Sequence, residues 1–179
     1  MVLPRLFPRV SAARVVGVAS FVSLTFLVAC AGTNEKQKGQ LSISFPSTAA
    51  AIATDRLELH VYDGTDPNAC LAAVDARQKG QTQGGAIFDT ASDTCDFLSN
   101  KVAAVDMGYG LRAFMVVALR APSPGANQTE FLIGCTRTGI GDVPNTVDVP
   151  LTLFNSNQVV PTSTKCSTLS AKCSGTACF

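Results

Sequence analysis

Apolar residues in this chain recur mostly at every second position, in short runs separated by turn-forming residues. Leu41, Ile43 and Phe45 alternate with Ser42 and Ser44 until Pro46 ends the run, and Leu57, Leu59 and Val61 alternate with Glu58, His60 and Tyr62. A period of two puts successive side chains on opposite faces of a strand, so both segments read as half-buried strands. Their polar partners, His60 among them, are expected to face solvent. The stretch Asp63-Gly64-Thr65-Asp66-Pro67-Asn68 is dense in turn chemistry. Residues 70–77 are expected to make a short helical turn, 78–85 a Gln- and Gly-rich loop, and Ile87-Phe88 and 102–105 two brief strands.

The strongest strand is expected after Gly108-Tyr109-Gly110. Leu111, Ala113, Met115, Val117 and Leu119 share one face, read as the main core side, while Arg112, Phe114, Val116, Ala118 and Arg120 share the other. A strand apolar on both faces is central and covered on both sides. Pro122-Ser123-Pro124-Gly125 turns the chain, and Phe131, Ile133 and Cys135 then alternate with Leu132, Gly134 and Thr136, placing Cys135 on a core face. In the last run Val147, Val149, Leu151 and Leu153 alternate with Asp148, Pro150, Thr152 and Phe154. Pro150 has no amide hydrogen to donate, which predicts an edge or bulged strand. Together these runs predict an all-β domain over 41–155, an antiparallel β-sandwich of about seven strands. Residues 156–179, rich in Ser and Thr with three cysteines, read as an irregular tail pinned by disulfides.

The N-terminal region follows a different pattern. Arg5, Arg9 and Arg14 precede an uncharged, largely apolar run over 15–29, which closes on Leu27-Val28-Ala29-Cys30. A basic start, an apolar run and small residues at a cut site are the parts of a secretory signal peptide. Ending on cysteine, the segment resembles the lipobox of bacterial lipoproteins. That resemblance implies a signal peptide over 1–29, cleavage before Cys30, a diacylglycerol on Cys30 and membrane attachment through that lipid. Ala31, and not Asp, follows the cysteine. By the sorting rule of such families this implies the outer membrane in a two-membrane cell and the cell surface in a one-membrane cell. The run is shorter than the roughly 20 apolar residues of a spanning helix. Residues 31–40 are polar and aperiodic, and read as a tether reaching at most about 35 Å.

Charge narrows the partners. Of fourteen basic residues, Arg5, Arg9 and Arg14 fall in the leader, so eleven face thirteen acidic ones in the remainder, a net charge of −2. No block of like charge is present, which argues against nucleic acid and against electrostatic attachment to anionic lipid. With Cys30 assigned to lipid, six of seven cysteines remain: Cys70, Cys95, Cys135, Cys166, Cys173 and Cys178. An even number in an exported chain reads as disulfides. Six cysteines allow fifteen pairings; those expected are Cys70 with Cys95, Cys135 with Cys166 and Cys173 with Cys178. No C-x-x-C pair occurs and the only histidine is His60, so zinc spacing is missing, and no cofactor is expected.

Candidate chemistry is sparse. A hydrolytic triad would have to be built on His60, with Glu58 and Tyr62 on its own face; no G-x-S-x-G, H-E-x-x-H or P-loop motif accompanies it. Asp63 and Asp66 on one loop, and Asp89, Asp93 and Asp96 on another, offer oxygen ligands for calcium without EF-hand spacing. Glycan binding would rest on Tyr62 and Tyr109 in a chain without Trp. Asn127-Gln128-Thr129 fits the N-glycosylation pattern, an accidental match in a bacterial lipoprotein. Phe114, Val116, Leu132 and Phe154 form a candidate binding face opposite the main core, unless the Cys-rich tail packs over them.

A second resemblance supports the fold reading. The Gly108-Tyr109-Gly110 lead into a long apolar strand, a hairpin, then Gly134-Cys135 and a final Val/Leu strand are similar to small transthyretin-like or immunoglobulin-like sandwiches. This covers 41–154, implies fold alone and carries no active site. The expected function is therefore a non-catalytic envelope lipoprotein, an accessory or interaction module with an envelope protein as partner. The alternative is a ligand-binding module, for calcium or glycan, using loops at one end of the sandwich.

Overall fold

The computed structural model describes residues 37–38, 40–99, 106–107, 109–121, 126–141, 146–160, 165–175 and 178. The leader, the lipobox with Cys30, the strand expected at 102–105 and the turn at 122–125 lie outside the described residues. In chain order the elements are β1 (Gln37–Lys38), β2 (Gln40–Ser44), α1 (Thr48–Ala53), β3 (Arg56–Asp63), α2 (Ala69–Gln78), β4 (Phe88–Asp93) and α3 (Thr94–Leu98). They continue with β5 (Asp106–Met107), β6 (Gly110–Arg120), β7 (Thr129–Ile140), β8 (Thr146–Pro150), β9 (Thr152–Leu153) and α4 (Leu169–Cys173). The fold is mostly strand, as the alternation predicts.

A five-stranded sheet in the order β4-β3-β6-β7-β9 organises the molecule, and every pairing in it is antiparallel. β6 lies at its centre, and Ala113 to Ala118 are buried without a break, as expected for a strand apolar on both faces. β6 and β7 slip register between Ala118 and Leu119, because Ala118 pairs with Leu132 but Leu119 pairs with Glu130. The extra residue is Phe131. This bulge lets Phe131 and Leu132 both join the same core cluster while Ile133 joins the opposite one.

Each face of the sheet buries its own cluster. On one, Leu57, Leu59, Val61, Phe114, Val116 and Ala118 meet Ala50 and Ala53 of α1, Phe97 of α3 and Val147 and Val149 of β8. β8 runs parallel to β2, from Gln40↔Thr146 to Ser44↔Pro150, and Leu41 and Ile43 of β2 pack against this cluster as well. On the other face, α2 lays Ala69 and Ala73 over Tyr62, Ala113, Met115, Val117 and Ile133. Four of the ten residues of this helix are Ala, a strong helix former whose small side chain lets α2 sit close to the strands.

Several expectations need correction. The larger cluster lies on the Phe114–Val116 side, not on the Ala113–Met115 side. Residues 70–77 are part of a ten-residue helix packed on the second sheet face, and α1 and α3 carry no periodic apolar signal. The tether is not loose throughout: Gln37 and Lys38 pair with Met107 and Asp106, and Gln40 opens β2. The final run is two strands. β8 stops at Pro150, and beyond Leu151 the residues Thr152 and Leu153 pair instead with Ile133 and Leu132 of β7. That break falls at the residue which cannot donate to a ladder.

The six cysteines do form three disulfides, with different partners from those expected. Cys70 bonds Cys135, Cys95 bonds Cys173 and Cys166 bonds Cys178, with Cα separations of 5.4, 5.3 and 4.9 Å. The reason is topological. α2 crosses β7, which puts Cys70 over Cys135, and α4 docks beside α1 and α3, which puts Cys173 on Cys95. The tail thus caps the α1 side, where Cys166 and Cys178 bury Ile52. Lys172 Nζ donates to Ile52 O (2.8 Å), Thr54 O (2.6 Å) and Asp55 Oδ1 (3.1 Å). A cation at carbonyls left open by a helix C-terminus is favourable placement.

Candidate functional site

The polar side of β3 is where charged chemistry gathers. Alternation sends Glu58, His60 and Tyr62 away from the larger cluster, as predicted, but α2 and the loop behind it cover them. Tyr62 is only 6% exposed and the His60 side chain only 18%, so this face is not open to solvent. Arg77, in the last turn of α2, donates from Nη2 to Glu58 Oε2 at 2.8 Å and from Nε to Glu130 Oε1 on β7. One guanidinium therefore joins the helix to two strands, a task its fork of donors performs better than an ammonium. Gln78 adds a bond from Nε2 to Phe154 O.

His60 sits between two carboxylates. Asp89, from the neighbouring edge strand β4, places Oδ1 2.6 Å from Nδ1. Glu58 Oε2 is 3.6 Å from Nε2, within ion-pair reach but too far for a hydrogen bond. Nε2 is buried without a hydrogen-bond partner among the described residues. The Glu58 carboxylate, followed by Asp89, raises the imidazole pKa above its ordinary value, against the opposing effect of burial. His60 in turn lowers the pKa of Glu58, helped by Arg77. Burial is the main cause that raises the Tyr62 phenol; its ring stacks on His60 with centroids 6.4 Å apart and planes 22° from parallel.

His60, Tyr62, Arg77 and Asp89 wall a small cleft of about 100 Å³ between β3, β4, β6, α2 and the 79–87 loop. Gly80 and Gly85, at φ +68° and +84°, turn that loop where side chains with a Cβ are strained. An imidazole held at Nδ1 by a carboxylate is the orienting half of an acid–base arrangement. Here, though, Nε2 faces the second carboxylate, Glu58, where a triad would place a hydroxyl nucleophile.

The other sequence candidates are dispersed. Asp63 Oδ1 accepts from Thr65 N, and Asp66 Oδ1 from Asn68 N, both at 2.8 Å, so each closes its own turn; the former bond also lowers the Asp63 pKa. Asp89 serves His60, while Asp93 and Asp96 stand at the start of α3. Among the described residues no three acidic, histidine or cysteine side chains converge as a metal site would require. Tyr109 is 42% exposed, far along the chain from buried Tyr62. The four residues of the candidate binding face do not form one. Phe114, Val116 and Leu132 are fully buried in the larger cluster, and Phe154 belongs to the cluster under α2. The parallel pair, α1 and α3 cover the first three, with Val160 of the tail packed against the same cluster, and α2 covers Phe154. Asn127 is on the exposed approach to β7.

Arg77, Asp89 and Glu130 were not singled out as His60's surroundings by the sequence. Arg77 at the end of an Ala-rich stretch was the one available signal, because a helix there would swing it over β3. Comparison of the chain with family models, with curated proteins and with solved structures finds no significant match to any of them. Among the described residues no helix is long and apolar enough to cross a membrane.

Proposed function

We propose that this chain is a non-catalytic envelope lipoprotein: a disulfide-stapled β-domain presented by lipid on Cys30, acting as an accessory or interaction module. The observation that carries the reading is the cysteine balance. Cys70, Cys95, Cys135, Cys166, Cys173 and Cys178 pair entirely among themselves. None bonds the seventh, Cys30, which is the residue that completes the Leu27-Val28-Ala29-Cys30 resemblance. Disulfides belong to oxidising compartments, consistent with export by such a leader. The architecture fits a lopsided sandwich. Residues of the five-stranded sheet and of the β2–β8 pair share the larger cluster, which supports the sandwich reading.

Intact mass of the detergent-extracted protein tests this directly. The expected species starts at a diacylated Cys30 and exposes six thiols only after reduction; Cys30→Ser should leave the membrane fraction and keep its fold. A chain that retains 1–29 without lipid overturns the reading.

A further inference from the structure

We infer that Cys95–Cys173 is a redox latch: a protein dithiol opens it, and the C-terminal ring closed by Cys166–Cys178 then leaves the α1 side as a unit. The three disulfides differ in how a thiolate can reach them. Cys166 and Cys178 are only 4% and 5% exposed. Cys70, Cys135 and Cys95 are half-buried, and Cys173 is exposed. Thiol–disulfide exchange requires an attacking thiolate to reach one of the two sulfurs, so Cys173 is the entry point and Cys95 the leaving group. The attacking thiolate bonds Cys173 Sγ as the Sγ–Sγ bond breaks, leaving a Cys95 thiolate that takes up a proton. The second thiol of the reductant, as thiolate, then attacks the mixed disulfide and expels Cys173, which is protonated in turn. The chain gains two electrons and two protons, and the dithiol, oxidised to its intramolecular disulfide, loses them.

A displaced thiol that is held in place re-forms its bond, so the other contacts of each pair decide which disulfide stays open. α2 buries Ala69 and Ala73 and is fixed to two strands through Arg77, which keeps Cys70 over Cys135. α4 has five residues and buries none of them, too short to persist as a helix by itself. Its remaining holds are the Lys172 ammonium on Ile52 O, Thr54 O and Asp55 Oδ1 and the packing of Ile52 with Cys166, Cys178 and Ala171. Cys173 falls inside the span 166–178, which its own disulfide closes, and Lys165 N donates to Cys178 O at 2.8 Å at the neck. Opening the outer bond thus releases a ring and not an unravelled tail. It uncovers Ile52, which is 1% exposed in the latched state.

The experiment follows the full-length, detergent-extracted protein over time in dithiothreitol without denaturant, traps thiols with excess N-ethylmaleimide and maps the labelled cysteines by mass. The expected result is an intermediate labelled on Cys95 and Cys173 alone, formed at least about tenfold faster than label on either other pair. In that intermediate, amide hydrogen exchange should rise across 166–178 and stay unchanged in β3, β6 and β7. Cys95→Ser combined with Cys173→Ser should show the same exchange pattern without reductant, and adding Lys172→Ala should raise exchange in the ring further. Another pair opening first, or all six thiols appearing together, overturns the proposal. So does a Cys95–Cys173 bond that opens with exchange in the ring unchanged, or a double-serine variant that does not fold. The latch involves no lipid, and the mass of the same sample reads Cys30 acylation separately, so the two readings fail independently.

Discussion

His60 couples local geometry to pH. Its folded pKa is raised from 6.5, so its contribution to stability is complete below the unfolded value and disappears as pH rises through the folded one. Glu58 is shifted the other way from 4.5; its contribution is present above that value and lost as pH falls through the lowered folded pKa. Both operate together only in mildly acidic solution. The difference in urea midpoint between wild type and His60→Gln should therefore peak near about pH 5–6 and vanish in alkaline buffer; a difference that grows with pH would contradict the ion-pair geometry. Gly134 makes a second test at the same scale. A Cβ there would collide with the Pro150 carbonyl and press on Leu151, where the chain leaves β8 for β9. Gly134→Ala should cost about 1–3 kcal/mol in denaturant unfolding. Gly84→Ala, which meets nothing within 4 Å, should change stability by less than about 0.5 kcal/mol.

Helix α2 shows what alternation reveals and what it conceals. Arg77→Ala should cost about 1–3 kcal/mol, because Glu58 and Glu130 lose a shared partner while half-buried. Arg77→Lys should recover only part of this in urea unfolding, since a point charge cannot serve two strands as a fork does. The strands themselves were legible: β3 and β6 follow their alternation closely, and the break at Pro150 follows from the missing amide hydrogen. Their covering was not legible. Leu57 and Phe114 announce that a face is buried, but nothing in their spacing says whether strands or a helix will bury it. Hence alternation alone exchanges the main core and the candidate binding face, and it puts His60 on the face opposite Leu59 without revealing that α2 buries that face. Asp89 pairs with it only through the β3–β4 register, a long-range fact with no local signal.

The molecule as a whole is closed by covalent links that alternation could not rank. Cys95–Cys173 spans 78 residues and Cys166–Cys178 only 12. In the chain-entropy account the longer loop stabilises by roughly 4–5 kcal/mol and the shorter by about 3 kcal/mol. Replacing both cysteines of Cys95–Cys173 with serine should thus lower the melting midpoint more than the same change in Cys166–Cys178. Calorimetry on the two double variants checks the order, and Lys172→Ala should add to the first loss by removing the ammonium that holds the tail to α1. The parallel β2–β8 pair carries a mechanical consequence. β2 is entered from the N-terminal side at Gln40, whereas β8 continues from its C-terminal end into the sheet through Leu151, whose amide also bonds Ser44 O. Tension applied upstream of Gln40 with the sheet held back therefore runs along both strands. It strains all five residue pairs in shear together, not one after another as in unzipping, so this short ribbon acts as a clasp between whatever pulls on the chain and the core behind it.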